Sequence, residues 1–288
     1  MVRLQFSIEL DYEITSPGAD CIFNSHAAHT AQQTVVSETL RVSQPVPYTL
    51  DTDPASRSRY LRLQAVGGLL QVNYDATVDL YHYTAQPQDL NEVPVCQLPG
   101  SVLTYIYPSR YCQSDRLHKF AYREFGHLPM GYNRAKAICE WVQKQVSFES
   151  NTSHGSTSAL DTLIDRAGVC RDFAHLMIAL CRAVNMPARF ATGIDFGADE
   201  ALGPPDFHAY VEVYLGHRWY LFDPSGTAIP MAFVRFGTSR DAADAAFATM
   251  FGGVISGAPR IHMQPVANAQ GMVVEPVHVA HALSTDGV

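Results

Sequence analysis

The chain has 288 residues, 47% of them hydrophobic, enough to bury one large core or two smaller ones. Its formal net charge of −8 argues against a nucleic-acid binder, and no apolar run approaches the roughly 20 residues that span a bilayer. Its 6 cysteines form no CxxC pair and no HExxH motif occurs, so neither zinc nor any other cofactor is expected.

Gln5, Glu9 and Asp11 break the N-terminal segment, which does not read as a signal peptide. A cytoplasmic protein with reduced thiols is the expectation. Val2, Leu4, Phe6, Ile8, Leu10, Tyr12 and Ile14 alternate with polar neighbours, and Leu70, Val72, Tyr74, Ala76, Val78 and Leu80 do so again. This period of two predicts antiparallel strands with one buried face. Shorter strands are predicted near 34–43 and 58–65. Residues 1–84 thus read as an N-terminal antiparallel β-domain with a structural or substrate-selecting role. Pro87, Pro94 and Pro99 mark 85–100 as an extended linker. Residues 101–281 read as the core and 282–288 as a frayed tail.

Three helices open the core, near 114–125, 133–146 and 159–167. The third starts at Ser158, with Asp161 completing a capping-box pattern. Gly168 then delivers the chain into Cys170. A fourth helix follows, with Phe173, Leu176, Met177, Leu180, Cys181 and Val184 at three- and four-residue spacing and Pro187 just past its end. A thiol in that first turn sees unpaired backbone N–H groups and the positive end of the helix dipole, both of which favour thiolate.

Two strands come next, Phe207–Leu215 and Trp219–Asp223. A two-residue loop at Gly216 and His217 pairs Leu215 with Arg218 and Tyr210 with Asp223. His208 and Asp223 are then diagonal neighbours on one face. A three-residue loop puts Asp223 on the opposite face. With the even loop, Cys170, His208 and Asp223 have the parts of an activated-thiol site: a nucleophile, a base to take its proton, and a carboxylate to hold the imidazole. Farther on, 240–251 reads as either a helix or a short ordered loop, and strands near 261–265 and 271–279 close the fold.

The stretch Thr157 to Gly226 resembles the transglutaminase-like superfamily. The matching pieces are GVCRDFAHL at 168–176, LCRAVNMPARFATG at 180–193, DFHAYVEVYL at 206–215 and RWYLFDPSG at 218–226. The resemblance implies an α+β fold with a papain-like core, Cys170 as nucleophile, His208 as base and Asp223 as its orienting partner. YIYPSRYC at 105–112 and GTSRDAADAAFATMFG at 237–252 look like a bacterial branch with an N-terminal β-domain, whose members are often described as cysteine proteases. Tyr210 departs from the pattern, since many relatives carry tryptophan after His-Ala; it keeps an aromatic ring, which implies altered packing or specificity.

An acyl-transfer intermediate needs donors aimed at its oxyanion. The backbone N–H of Cys170 is one candidate; Arg110, Tyr111, Gln113 and the 151–158 loop are others. Arg240 and Asp241 are candidates for lining the site. Asp172 reads as a first-turn helix stabiliser, His175 as solvated and His154 as part of a surface loop. Three functions compete: thiol hydrolysis of peptide, isopeptide or related amide bonds in a protein or peptide substrate; amine transfer through the same acyl-enzyme; and a non-catalytic scaffold. The three intact residues favour chemistry, and the lack of a DxDxDG calcium loop favours hydrolysis.

Overall fold

The computed structural model describes residues 1–197 and 205–286. The chain begins with β1 (Val2–Phe23), β2 (Gln33–Val42), β3 (Tyr48–Thr52), β4 (Arg59–Leu80) and β5 (Tyr83–Ala85). Helices α1 (Ser114–Phe125), α2 (Tyr132–Gln145) and α3 (Ala159–Asp165) follow, with β6 (Ser147–Phe148) and β7 (Ala167–Gly168) paired in parallel. Then come α4 (Cys170–Ala183), β8 (Ala188–Ile194), β9 (His208–Leu215), β10 (Arg218–Phe222), β11 (Val234–Ser239), β12 (Ala248–Ser256), β13 (Arg260–Pro265) and β14 (Ala282–Ser284). This is an α+β fold.

The alternating N-terminal segments are antiparallel partners: β1 and β4 pair from Val2 opposite Leu80 to Phe23 opposite Leu61. The register shifts between Ile14 and Gly18, around Pro17, where a bulge absorbs a residue that cannot donate a ladder bond. The two strands predicted within 58–80 are one continuous β4. Strands β2 and β3 flank β4, and β12 and β13 flank β1. Both lie within the 101–281 range read as the core, and of the two only 261–265 was expected as a strand, yet they extend the N-terminal sheet. The even-numbered residues of β1 from Val2 to Ile14 bury on one face, where Ile194, Val234 and Phe236 of the second sheet join them.

That second sheet is antiparallel, ordered β10-β9-β8-β11. Ala209, Val211, Val213 and Leu215 of β9 pack with the helices in the main core. Strands β8 and β11 are buried at every residue, so neither shows alternation. The proposed linker is packed down: Leu90, Val93 and Leu98 are buried, and Glu92 pairs with Arg134 of α2. Residues 271–279, expected as a strand, form none. Segment 240–247 is an ordered loop, after which β12 begins. The tail does not fray at 282, because β14 pairs with β5 and is buried throughout.

Candidate active site

The N-terminus of α4 is built around a buried carboxylate. Asp172 Oδ2 accepts the Val169 N–H at 2.9 Å, and Oδ1 pairs with Arg171 at 3.2 Å. This satisfies one of the donors a helix start leaves open. Gly168 is required by the same turn, since a Cβ there would lie 2.8 Å from Asp172 Cβ. Cys170 follows as the first helical residue, half-buried at the edge of a cavity of about 540 Å³. Its Sγ is 3.8 Å from the Phe207 carbonyl. Helix geometry leaves its own N–H without an intrahelical partner.

The hairpin has the even loop. Gly216 and His217 have φ of 53° and 65°, as a two-residue type I′ connection requires, and Leu215 pairs with Arg218. Continuing that register one step past Phe222–Val211 sets Asp223 opposite Tyr210. His208, the first residue of β9, then reaches Asp223, with Nε2 3.4 Å from Oδ1. That contact is long for a hydrogen bond, as catalytic contacts often are without substrate.

Asp223 is fixed from several sides. Oδ1 accepts the Ser225 hydroxyl at 2.6 Å and its N–H at 3.0 Å, and Oδ2 accepts the Ala228 N–H at 3.0 Å. Its carbonyl accepts Gln143 Nε2 of α2 at 2.8 Å. Burial alone would raise the Asp223 pKa, but bonding and charge from His208, with Ser225 and Ala228, hold it below the ordinary value. Burial would likewise push His208 down; the charge of Asp195, the bond to Asp223 and the Cys170 thiol instead hold it well above its ordinary value. The imidazole is thus set to carry a proton beside a thiol, which is the arrangement an activated cysteine requires.

Asp223→Asn tests this orientation. It keeps the shape and an acceptor but removes the charge that holds the imidazolium. The expected result is a fall in kcat of roughly 10²-fold or more with KM little changed. Unchanged kcat in steady-state assays would remove Asp223 from the mechanism.

The remaining candidates divide. Tyr111 lines the cavity; its N–H donates to Asp241 Oδ2 at 2.9 Å and its hydroxyl to the Gly155 carbonyl at 2.6 Å. Asp241 is therefore a buried staple that fixes the 240–247 loop, and Ala242, Ala245, Ala246 and Phe247 of that loop form a cavity wall. Arg240 points away and pairs with Asp244 at 2.9 Å. Arg110 is exposed, stacked over the Tyr111 ring, and neither it nor Gln113 lines the cavity. Tyr210 is fully buried, edge-on to His208 at 4.8 Å and packed on Phe233. His154 is exposed and bonds Ser156.

His175 is a correction: it is fully buried, stacked on Tyr111 at 4.9 Å, and its Nε2 accepts the Ala242 N–H at 3.1 Å. Every residue of α4 from Asp172 to Ala183 is buried, so the helix has no wet face for it. Burial, with Arg171 and Arg182 nearby, holds it well below its ordinary pKa, so it is a neutral acceptor. Sequence reasoning missed Ser225 and Asp195. The first was detectable as the residue directly after the Asp223-Pro224 pair, two positions past the carboxylate. The second was visible only as a carboxylate ending the buried run Ala188–Ile194.

A family model described as the transglutaminase-like superfamily matches residues 120–224, and one described as the bacterial transglutaminase N-terminal domain matches residues 2–101. A crystal structure of a candidate cysteine protease from Cytophaga hutchinsonii is 36% identical, with a TM-score of 0.90 over 98% of this chain and 97% of that one. An uncharacterized protein of Mycobacterium leprae is 29% identical over 115 residues, 38% of this chain and 41% of its own length. The match thus spans less than half of that relative. An uncharacterized protein of Mycobacterium tuberculosis is 25% identical over 228 residues, 68% of this chain and 72% of its own length.

Proposed function

The chain belongs to the transglutaminase-like superfamily, and from that premise we propose that it is a cysteine-dependent acyl-transfer enzyme that hydrolyses peptide, isopeptide or related amide bonds. The observation that carries the reading is the Cys170 thiol facing the His208 imidazole in one cavity, with Asp223 behind the ring. The similarity to a candidate cysteine protease supports peptide-bond hydrolysis in particular.

The chemistry follows from the groups present. The Cys170 thiolate adds to the carbonyl carbon, and the charge moves to the carbonyl oxygen, where the Cys170 N–H stands as a donor. The His208 imidazolium protonates the leaving nitrogen as the C–N bond breaks and the thioester remains. Neutral His208 then takes a proton from water, which attacks the thioester and releases the acid and the thiol. Phe207 and Phe247, stacked at 4.2 Å, and Phe190 give the cavity an apolar wall that limits bulk water there.

The test is the alkylation rate of each cysteine between about pH 4 and 9, read by peptide mapping. Cys96 is exposed and serves as an ordinary thiol in the same sample, while Cys21, Cys112, Cys139 and Cys181 are buried. Cys170 is expected to react well below pH 7, and His208→Ala to abolish that advantage. 4-Nitrophenyl acetate should then place an acetyl group on Cys170 that water removes. A Cys170 as slow as Cys96 at pH 6 sinks the reading.

A further inference from the structure

His208 has two carboxylates. Nε2 faces Asp223 at 3.4 Å, with the Ser225 hydroxyl also at 3.4 Å. Nδ1 faces Asp195 Oδ2 at 3.8 Å. The Asp195 side chain is 3% exposed and lines the same cavity as Cys170; its Oδ2 makes no hydrogen bond within 3.5 Å among the described residues, although the Tyr210 hydroxyl stands beside the carboxylate and lowers its pKa. A buried, unpaired carboxylate oxygen is costly and calls for an explanation. Asp195 stands one residue past the end of β8, and Gly193 of that strand pairs with His208 of β9. The fold therefore delivers the carboxylate to the ring edge opposite Asp223.

Resting on the thiol mechanism above, we propose that Asp195 is a second positioning carboxylate for His208, whose charge beside the Nδ1 edge stabilises the imidazolium when the thiolate no longer does, while Nδ1 itself stays free to exchange its proton with Cys170, the leaving group and water. The need arises within the cycle. Before acylation the thiolate balances the imidazolium. Once Cys170 is a neutral thioester that balance is gone, yet His208 must take a proton from water. Asp195 supplies the missing charge from a site that substrate does not consume. No atom is transferred to it, and at 3.8 Å it acts by its charge without occupying Nδ1.

The groups facing Asp195 are His208 and Tyr210 on β9 and Asp223 after β10; Asp206 and Arg171 line the cavity beside it. Among the causes that raise the His208 pKa, the charge of Asp195 comes first. Burial raises the Asp195 carboxyl itself to about 6, against the opposing pull of His208. Below about pH 6 Asp195 is protonated, and its support for the imidazolium, and through it for the thiolate, is withdrawn. Above that pH the support is complete.

The experiment is the pH profile of Cys170 alkylation by chloroacetamide in the wild type, Asp195→Asn and Asp195→Glu, with Cys96 as the internal standard. Asparagine mimics the protonated acid at every pH. The wild-type to Asp195→Asn rate ratio should be near one at about pH 4.5, reach about fourfold near pH 6 and return to near one by about pH 8, the effect of roughly one pKa unit on the imidazole. Asp195→Glu should restore most of that pH dependence. A ratio that is flat with pH, whether near one or a uniform loss, makes Asp195 merely structural and overturns the proposal. If the asparagine variant does not fold, the wild-type profile decides: its acid limb must fall through a midpoint near 6, and a midpoint below about 5 overturns the proposal. A Cys170 inert throughout overturns the thiol mechanism as well. A reactive Cys170 with a flat ratio overturns only the role of Asp195.

Discussion

The Cys170→Ala variant is expected to lose turnover by about 10³-fold or more while its unfolding midpoint stays within about 2 °C of the wild type. The two halves of that result have separate causes. Activity falls because no other thiol occupies the cavity: Cys112, Cys139 and Cys181 are buried in the core, and burial raises the pKa of each. Stability holds because Cys170 is only half-buried, so its sulfur contributes little packing. Cys181→Ala is the control with the opposite signature. That side chain is fully enclosed between the helices and the sheet, and removing its sulfur leaves a void costing about 1–2 kcal/mol without touching the cavity. Steady-state rates and thermal unfolding of the two variants separate the roles. Full turnover in Cys170→Ala would end the nucleophile assignment.

The parts of this site that were readable in the sequence were those fixed by local chemistry. Gly168 before a helical stripe located Cys170, and the turn signal at Gly216 and His217 narrowed Asp223 to two registers, of which the two-residue loop that shares a face with His208 is the one formed. Local patterns likewise gave β1, the distal part of β4 and all four helices. What stayed hidden depends on burial from both sides. Strand β8 reads Ala-Arg-Phe-Ala-Thr-Gly-Ile and is buried at every position, so there is no polar face to set a period. The same burial conceals Asp195, since a carboxylate after such a run reads as a loop residue. His175 was misplaced for the same reason: three- and four-residue spacing marks a stripe only when the opposite face meets water, and α4 has no such face. The docking of β12 and β13 onto β1 joins residues more than 200 positions apart, which single-sequence patterns do not encode.

The largest effect on stability is expected at Glu212. This carboxylate is fully buried on β9, four residues after His208, and accepts Arg189 Nε at 2.6 Å and the Thr285 hydroxyl at 2.8 Å. Arg235, also fully buried, stands 3.8 Å away, and Asp286 bridges Arg189 at 2.6 Å and Arg235 at 3.2 Å. Two buried guanidinium groups are thus balanced by two carboxylates, one of them carried by the C-terminal tail. Glu212→Gln keeps the volume but removes half of the negative charge. Breaking a buried pair from one side costs about 3–5 kcal/mol, because the remaining charge stays desolvated. In a chain of this size that lowers the unfolding midpoint by roughly 10 °C. Truncation after residue 281 removes Asp286 and β14 and should cost a similar amount, and the combined variant should lose less than the sum, since both act on the same two arginines. Acid should have a comparable effect. Burial would raise the Asp286 pKa, but the charges of Arg235 and Arg189 hold it well below the usual carboxylate range. Its contribution is therefore complete above about pH 4 and is lost progressively as the pH falls below that. Thermal unfolding of the single and combined variants between about pH 3 and 7 checks all three statements. A Glu212→Gln variant within about 1 kcal/mol of the wild type would mean that the four-charge cluster does not hold the tail against the sheet.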